Sequence, residues 1–499
     1  MKRILVLLII TCGVALATSV EFPICSAPGD QLYPDVCWDG EAFWVVWQDD
    51  SLGTIRGVRV SEEGELLTGE VELLAKGSAT KSMRYPCVAA GPDRIAVEAR
   101  RMSGYDEFGN ESWGVVHREF TFSGNPLYNP VWIGGSFECF DVSAPIVMFG
   151  KEHFFSLFKA SHETPEDFHA WSMCIGLDSA GATQQDIWLS STEHGEFEPS
   201  IGCWEGERFL VITSLRDAGV FLEDSMVIQG IGWNFELDRL LYQSPNDQGC
   251  IKYQTLFSRE AHFFWASEIW TWGYGAIQYK IGFDILDSTG MPIKDSATII
   301  DLGGAIKLYY PDAAFGKEDF VCCWENRFAD NTVHLYAIEV DTLGDILDSG
   351  YITYDASVEQ QPAIAFGKDK YLLVWADNRD GDFNIRGLVF DTLELTDGIN
   401  EEKPVNNNIS RLEVYPNPFK DKVMLSFTQK GGEREEQTLC IFDASGRRVN
   451  TLRMNVGADA ITWDGRDAAG EVLPSGIYFV SLRSADRISN LTKRIVKIK

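Results

Sequence analysis

No extended stretch of this sequence repeats its apolar residues every 3.6 positions, the pattern that marks an amphipathic helix. The sequence offers instead short apolar runs, 45 glycines and 12% aromatic residues, a combination typical of strands joined by tight turns. We therefore predict an all-β chain. Its 499 residues leave room for two or more domains, one of which can be large if it is built of repeats.

Positive charge is scarce, with 43 Lys and Arg against 74 Asp and Glu and a formal net charge of −31. Residues 409–499 are the exception, with 15 Lys and Arg against 11 Asp and Glu, so the acidic excess lies in residues 18–408. An acidic body of this kind repels nucleic acid and anionic lipid and favours solubility or cationic partners. We expect no nucleic-acid partner.

The 11 cysteines lack the spacing of a disulfide framework, and no CxxC pair indicates a zinc site. Most of them lie inside apolar strand patterns, such as Cys322 and Cys323 within one run. Cys37 and Cys203 occupy matching places in two repeat units. We interpret the cysteines as small buried hydrophobic side chains.

The sequence also lacks an apolar run long enough to span a bilayer, which needs roughly 20 residues. Its N-terminus reads Met1-Lys2-Arg3, followed by an apolar run to Ala17 that ends in Ala15-Leu16-Ala17. This arrangement predicts a signal peptide at residues 1–17 with an Ala-x-Ala cleavage site. A transmembrane anchor is the alternative, and we expect no membrane span in the mature chain.

One pattern occurs seven times: a Pro, a short apolar strand, a turn, and then a strand of large apolar residues. The units begin at Pro34, Pro86, Pro145, Pro199, Tyr253, Pro311 and Pro362, with spacings of 52, 59, 54, 54, 58 and 51 residues. Each continues with a third and a fourth strand. About four strands in roughly 50 residues is the pattern of a β-propeller blade. We predict a seven-bladed β-propeller over residues 18–395.

The last unit has no convincing fourth strand after Asp391, whereas Val20–Cys25 precedes the first Pro as an extra strand. We predict that this N-terminal strand completes the last blade and closes the ring. Residues 34–395 resemble degenerate bacterial propellers with VVW-D-R-G-I-x-G units, as in VWADNRDGDFNIRG at 374–387. Two β-sandwiches in tandem are the alternative, which the regular spacing disfavours.

Residues 396–410 are polar and Asn-rich and predict a linker, and residues 411–499 predict an Ig-like β-sandwich of about seven short strands. This segment resembles the C-terminal (type A) sorting domain of type IX secretion, and also the Ig-like domain of flagellar hook-capping proteins. The matching residues are Pro416, Asn417, Pro418, Phe419, Trp463, Asp464, Gly465, Gly476, Tyr478, Lys493, Arg494 and Lys497. The resemblance implies outer-membrane translocation by the secretion machinery, then removal of the domain and surface attachment or release. An Ig-like module without a sorting role is the alternative.

Several of these residues have predicted physical roles. Pro416 and Pro418 cannot donate to a strand ladder and mark a sheet edge. Gly465 and Gly476 are expected in turns that need a positive φ. Trp463 and Tyr478 are expected in the core, and the basic residues of the last strand are expected to form an electrostatic handle for the secretion machinery: Lys493, Arg494, Lys497 and Lys499.

Catalytic signatures are absent as well: there is no GxSxG, HExxH, Walker loop or GxGxxG in context, and the 7 His never pair at metalloprotease spacing. The sialidase Asp-box is only approximated by STEHGEF at 191–197, with Glu193 in place of Asp and Phe197 in place of Trp. We therefore predict no catalytic residues and favour a protein that is not an enzyme.

In propellers the loops between second and third strands lie on one face with the connections between blades, and the resemblance implies that ligands often bind there. In the fifth unit this loop is predicted to be IWTWGYG at 269–275. Its alternating Trp270, Trp272 and Tyr274 are candidates for a surface that stacks on sugars or peptide. The alternative is packing against a neighbouring blade.

Two polar groups are candidate metal sites, although no obligatory cofactor is predicted. The predicted loop at 159–169 contains His162, Glu163, Glu166, Asp167 and His169, which suit zinc or an acid–base pair. The alternative is that these are solvated charges. Asp377, Asp380 and Asp382 surround Gly381 as in a calcium loop. The alternative there is a hairpin ion pair with Arg379, repeated at Arg327 and Arg216.

Together these patterns predict an exported protein, on the cell surface or secreted, whose propeller binds polysaccharide or protein. A secreted propeller-fold glycoside hydrolase or lyase is one alternative, and it would need two carboxylates that converge on one face. A structural surface-layer component is another.

Overall fold

A computed structural model describes residues 20–498, apart from short gaps. These gaps are 77–81, 106–110, 135–140, 151–152, 165–166, 178–182, 193–200, 205–207, 217–223, 233–236, 244–249, 260–261, 274–275, 288–292, 295–297, 301–304, 354–356, 392–408, 421, 430–436, 444–447, 455–459, 468–469, 471 and 485–486. The predicted signal peptide lies outside the described residues. Within them we find no helix of the length and apolarity needed to cross a membrane. The chain divides into two compact units at Gly398 and Ile399.

The first unit consists of antiparallel sheets. Its described strands begin with β1 (Val20–Cys25), followed by blade 1 with β2 (Gln31–Trp38), β3 (Phe43–Asp49), β4 (Thr54–Val60) and β5 (Val71–Leu74). Blade 2 has β6 (Met83–Ala90), β7 (Arg94–Tyr105), β8 (Glu111–Thr121) and β9 (Val131–Gly134). Blade 3 has β10 (Asp141–Val142), β11 (Ile146–Gly150), β12 (His153–Thr164), β13 (Asp167–Leu177) and β14 (Thr183–Thr192).

The remaining blades follow the same plan. Blade 4 has β15 (Ile201–Trp204), β16 (Arg208–Arg216), β17 (Asp224–Gly232) and β18 (Leu237–Gln243). Blade 5 has β19 (Cys250–Arg259), β20 (His262–Gly273), β21 (Ala276–Leu286) and β22 (Thr298–Ile300). Blade 6 has β23 (Ala305–Phe315), β24 (Asp319–Phe328), β25 (Val333–Asp341) and β26 (Ile346–Tyr351), and blade 7 has β27 (Glu359–Phe366), β28 (Tyr371–Asp377) and β29 (Asn384–Phe390).

The sheets of the first unit form a closed ring. The first long strand of each sheet contacts those of the two neighbouring sheets, and the contacts run from β2 through β6, β11, β15, β19, β23 and β27 back to β2. Among the described residues this gives seven sheets arranged radially, which is a seven-bladed β-propeller. The predicted count of seven units is confirmed, and the tandem-sandwich alternative is wrong.

The ring is completed by its first strand. β1 pairs antiparallel with β29, from Val20 opposite Val389 to Cys25 opposite Ile385, and so supplies the fourth strand of blade 7. Glu21 of β1 forms ion pairs with Arg386 and, at 2.8 Å, with Arg379. The predicted closure through Val20–Cys25 is confirmed.

The second strand of a blade is buried on both faces, which explains its continuous apolar sequence. In β3 every residue from Phe43 to Asp49 is buried. Phe43, Val45 and Trp47 pack with blade 7, whereas Trp44 packs with the apolar side chains of blade 2. Adjacent blades therefore share cores, and each sheet is held between its neighbours.

The residue before the first proline adopts an unusual backbone in four blades. Tyr33, Tyr85, Tyr310 and Gln361 have φ values of 51°, 53°, 52° and 57°, and each lies at a bulge in the first strand. Residues other than glycine rarely adopt this left-handed conformation. Its repetition makes the bulge a feature of the blade, and the bulge interrupts the regular alternation of side chains along the first strand.

Where the residue after this proline is Asp, its side chain links neighbouring blades. The Asp35 carboxylate accepts hydrogen bonds from the backbone N–H groups of Val36, at 2.9 Å, and Val88 of blade 2, at 2.7 Å. Asp312 accepts from the Ile364 N–H of blade 7 at 2.8 Å in the same way. These carboxylates therefore satisfy buried donors of the next blade.

The second unit has two sheets. Its described strands are β30 (Ile409–Tyr415), β31 (Val423–Gln429), β32 (Gln437–Asp443), β33 (Arg448–Met454), β34 (Ala460–Trp463), β35 (Gly476–Ser484) and β36 (Arg487–Lys497). One sheet has the order β30-β31-β34 and the other β33-β32-β35-β36. Between them lies an apolar core that includes Phe419, Leu425, Ile441, Trp463 and Tyr478.

Candidate functional site

The residues before the prolines bring tyrosines together at the centre of the propeller. The ring centroids of Tyr33 and Tyr85 lie 4.4 Å apart, and those of Tyr33 and Tyr310 lie 6.4 Å apart. Blade 7 separates blade 1 from blade 6, so contact between Tyr33 and Tyr310 places these rings at the axis. Tyr309 adds a fourth ring, 6.0 Å from Tyr310.

Positively charged side chains lie against the rings at both ends of this row. On blade 2, the Arg100 guanidinium carbon lies 5.4 Å from the Tyr85 centroid and 4.8 Å from the Trp113 centroid, and that of Arg84 lies 5.2 Å from Trp113. On blade 6, Lys307 and Arg327 lie 5.6 Å and 5.2 Å from the centroid of Tyr309. The aromatic–cation arc comprises Tyr33, Tyr85, Tyr309, Tyr310, Trp113, Arg84, Arg100, Lys307 and Arg327.

The arc lies on the face that the sequence singled out. In blade 1 Leu32, just before Tyr33, pairs with Gln48 near the end of β3, immediately before the turn to β4. The Tyr85 N–H donates to the Gln48 side chain at 3.1 Å, and the Tyr33 N–H donates to that of Gln361 at 2.8 Å. Hydrogen bonds between blades therefore fix the backbone positions from which the rings project.

Two carboxylates lie beside the arc, that of Glu325 buried and that of Asp35 half-buried. Glu325 accepts the Gln361 N–H at 3.0 Å and pairs with Arg327 at 2.8 Å, while burial raises its pKa. Burial, together with the charge of Asp312, raises the pKa of Asp35 to about 7. Both oxygens of Asp35 accept backbone N–H groups, so its geometry suits a structural link better than proton transfer to a ligand.

The half-buried tyrosine rings can stack on the apolar face of a sugar, and the guanidinium groups beside them can bind an acidic or hydroxyl oxygen. Sequence reasoning missed this arc because its tyrosines come from units far apart in the chain. The signal that could have found it is the tyrosine directly before the first proline in three units, at Tyr33, Tyr85 and Tyr310.

A second polar group lies buried between blades 2 and 3. Ser156 donates to Glu98 at 2.6 Å, and Glu98 lies 2.9 Å from Nδ1 of His117. Burial raises the pKa of Glu98, and despite burial its carboxylate neighbours raise the pKa of His117. All three side chains are inaccessible to solvent, so this group joins the blades and offers no surface to a substrate.

The aromatic residues predicted in blade 5 lie mostly on a strand. Trp270 and Trp272 belong to β20, opposite Tyr279 and Ile277 of β21, so the predicted loop at 269–275 is wrong for residues 269–273, which form a strand. The pairing extends through Gly273 because both strands of this hairpin continue in register. Tyr274 and the tryptophan side chains lie outside the described part, so the stacking surface stays a prediction.

The predicted metal group of blade 3 also lies on strands. His162 stands directly opposite His169 in the β12–β13 pair, and Glu163 stands opposite Phe168. The predicted loop at 159–169 is therefore wrong for residues 159–164 and 167–169, which form strands. The continuous pairing from Phe154 to Thr164 leaves only residues 165–166 between the strands. These side chains lie outside the described part. Where side chains are described, no group of three or more potential metal ligands occurs.

The acidic turn of blade 7 contains ion pairs and backbone contacts. Asp377 binds Arg379 at 2.6 Å, which outweighs burial and lowers the pKa of Asp377. Asp382 accepts the N–H of Gly29 at 2.9 Å, and Asp380 is exposed. The hairpin ion pair is thus present and recurs between Arg327 and Glu325. The side chain of Arg216 lies outside the described part.

The motif residues of the second unit surround its last strand. The Asn417 side chain accepts the Val496 N–H at 2.8 Å, and the Phe419 backbone bonds to Val496 and Ile498. The Trp463 indole donates to the Arg466 carbonyl at 2.9 Å, and the Tyr478 hydroxyl donates to that of Pro474 at 2.7 Å. The motif residues therefore belong to one folded unit, whose last strand is β36.

Residues 413–499 match the family model described as "Secretion system C-terminal sorting domain". This segment is a type IX secretion sorting domain. It indicates that the protein is exported to the cell surface or the extracellular space, as the sequence predicted.

Two details of the sorting domain differ from expectation. Gly465 has a φ of 72°, but Gly476 does not have a positive φ, because it begins β35 in regular pairing with Lys497. Lys497 is buried, and its ammonium donates to the carbonyls of Gly465 at 3.0 Å and Leu473 at 2.6 Å. It therefore cannot act as an exposed handle. The side chains of Lys493 and Arg494 lie outside the described part, as does Lys499.

Other comparisons concern the whole chain. No curated protein matches it. Similar solved structures include a Trypanosoma rangeli sialidase (8% identity, 94% of this chain and 84% of that one, TM-score 0.40). A Penicillium chrysogenum alpha-L-arabinanase complexed with arabinobiose also matches (10% identity, 76% of this chain and 100% of that one, TM-score 0.42). At these scores the matches carry no argument about activity.

Proposed function

We propose that the sorting domain delivers the protein out of the cell, and that its propeller binds an extracellular polysaccharide or protein at the face that carries the aromatic–cation arc. The single observation that supports this proposal is the convergence of rings and cations from three blades on the axis. Such a surface suits sugar rings or aromatic and acidic side chains.

The hydrogen bonds and the ion pair of the neighbouring carboxylates favour binding over hydrolysis. Asp35 holds two backbone N–H groups, and Glu325 holds an arginine and a backbone N–H. A glycoside hydrolase needs one carboxyl group that donates a proton and another that acts as base or nucleophile. Neither Asp35 nor Glu325 has the freedom that these roles demand.

The propeller part of the proposal is tested by comparing the purified protein with Tyr85→Asn on a glycan array and in a reducing-end assay. Asparagine tolerates the left-handed conformation, so the variant removes the ring and keeps the backbone. We expect glycan binding without turnover, and at least tenfold weaker binding by the variant, the loss of about 1.4 kcal/mol of stacking. Tyr105→Asn, at an exposed hairpin end of blade 2, is the matched control.

Release of reducing ends by the wild type would refute the binding-only proposal. Equal glycan binding by the wild type and Tyr85→Asn would show that the arc is not the binding site. For delivery, deletion of residues 411–499 should retain the protein in the periplasm. Surface delivery of that truncated chain would contradict the sorting role.

A further inference from the structure

The second strands of the blades differ in length on the face that carries the arc. β3 of blade 1 and β28 of blade 7 have 7 residues each, whereas β7, β12 and β20 of blades 2, 3 and 5 have 12. Gln48 and Arg100 occupy equivalent places, each paired with a first strand just before its bulge. Beyond them β3 ends at Asp49, whereas β7 continues to Tyr105. At roughly 3.3 Å per residue, these four further residues extend blade 2 by about 13 Å.

The rim of this face is therefore uneven. The β12–β13 and β20–β21 hairpins are paired to the ends of both strands, so they extend in the same direction as the β7–β8 hairpin of blade 2. These three hairpin ends form a raised rim. In blades 1 and 7 the second and third strands have only 7 residues each. The rim is thus low beside Tyr33 of blade 1 and high beyond Tyr85 of blade 2.

The low side of the rim leads to the tyrosines at the axis. Tyr33, Tyr85 and Tyr310 are half-buried, so solvent reaches part of each side chain. Tyr33 lies on blade 1, and Tyr310 lies on blade 6, on the other side of blade 7. A long molecule can therefore reach these rings across blades 7 and 1, whereas the raised rim bounds the site on the side of blades 2 and 3.

The rings themselves form a corner. The planes of Tyr33 and Tyr85 are inclined by 63° at a centroid distance of 4.4 Å, and those of Tyr33 and Tyr310 by 76° at 6.4 Å. Successive sugars of an extended chain stack on ring faces that lie side by side in one plane. Rings that are in contact and steeply inclined to each other instead surround a single group.

We propose that the arc binds the end of a polysaccharide chain, with the terminal sugar in the tyrosine corner and the remaining chain directed over blades 7 and 1. This inference rests on the proposed binding function. An internal segment must continue in both directions, and beyond Tyr85 it would meet the raised rim of blade 2. A chain end continues in one direction only, which matches a site with one low side.

The first experiment measures how affinity depends on chain length. Linear glucan, mannan, xylan and galactan oligosaccharides, from the disaccharide to the octasaccharide, are titrated into the full-length protein by calorimetry. We expect the affinity to level off at the trisaccharide. A site for internal segments would instead gain about tenfold with each further stacked sugar. Such a continued gain would overturn the inference.

A second measurement counts chain ends. Partial digestion of a bound polysaccharide by an endo-acting hydrolase multiplies its ends at constant mass. The amount of protein bound per mass of polysaccharide should rise in proportion to the ends. An unchanged or smaller amount would contradict binding at chain ends.

Ring variants test whether the tyrosines act at one sugar. Tyr33, Tyr85 and Tyr310 all have positive φ values, which asparagine tolerates. Tyr85→Asn and Tyr310→Asn should weaken the shortest and the longest oligosaccharide by the same factor. Because each variant is compared with itself across chain lengths, a partial loss of folded protein does not affect this ratio. Tyr415→Asn, at an exposed residue of the second unit, is the matched control.

The two proposals fail differently. If Tyr310→Asn weakened only the longer oligosaccharides, the rings would bind successive sugars, which would overturn the chain-end site and leave polysaccharide binding intact. Binding of peptides but of no glycan would overturn the chain-end site and leave the protein-binding part of the proposed function. The absence of binding to any probe would overturn both.

Discussion

Replacing Asp35 by asparagine should change how the stability of the propeller depends on pH. Burial and the charge of Asp312 raise the pKa of Asp35 from 3.8 to about 7 in the folded protein. The unfolded chain therefore releases this proton near pH 4, whereas the folded chain keeps it to about pH 7. Unfolding releases a proton between these values, so the free energy of unfolding falls as the pH rises.

The size of the effect follows from the same values. A difference of about three pH units corresponds to about 4 kcal/mol, which is an upper limit because water reaches this half-buried side chain. The asparagine side chain has one acceptor oxygen for two N–H donors and should lose one hydrogen bond, a constant cost of about 1 kcal/mol. Asp35→Asn should thus be less stable than wild type at pH 4.5 and more stable at pH 8.5.

Urea unfolding of the full chain, followed by tryptophan fluorescence from pH 4.5 to 8.5, measures this difference. Asp380→Asn, which alters an exposed carboxylate in blade 7, should show no such crossover. Asp312→Asn should move the wild-type step to lower pH, because it removes the neighbouring charge. Parallel curves for wild type and Asp35→Asn across the whole range would refute the reasoning.

Three further changes test other parts of the structure. Lys497→Met should lower the unfolding free energy of the sorting domain by about 2–4 kcal/mol, because two backbone carbonyls lose a charged donor. Calorimetry measures this loss. Glu21→Gln removes the ion pairs of β1, and amide exchange of residues 20–25 should become faster while that of β28 stays unchanged. Glu98→Gln weakens the bonds to Ser156 and His117 and should cost about 2 kcal/mol in urea unfolding, with Glu41→Gln, an exposed carboxylate, as control.

The sequence was sufficient to predict the propeller because its signals are local. Prolines mark the start of the blades. Apolar runs such as FWVVWQD in β3 indicate second strands that are buried on both faces. The closing strand could be predicted by counting strands, since the last unit had one too few.

The arc and the hairpins could not be predicted in the same way. The contact between Tyr33 and Tyr310 exists only once the ring has closed, so no local pattern contains it. The polar residues around His162 resemble a loop, but cross-strand pairing with β13 extends the strand. Lys497 resembles an exposed basic residue until the turn at Gly465 places carbonyls around its ammonium. In each case tertiary contacts override the local preference.

The pairing of β1 with β29 also determines when the propeller can close during folding. An N-terminal strand must wait for residues 384–390 before it has a partner, so the ring stays open until almost the whole propeller has been synthesised. During that interval β1 has no partner strand, and unpaired strand edges associate readily with other chains. Closure therefore removes the free strand edges at the seam at the moment when the two distant ends of the propeller meet.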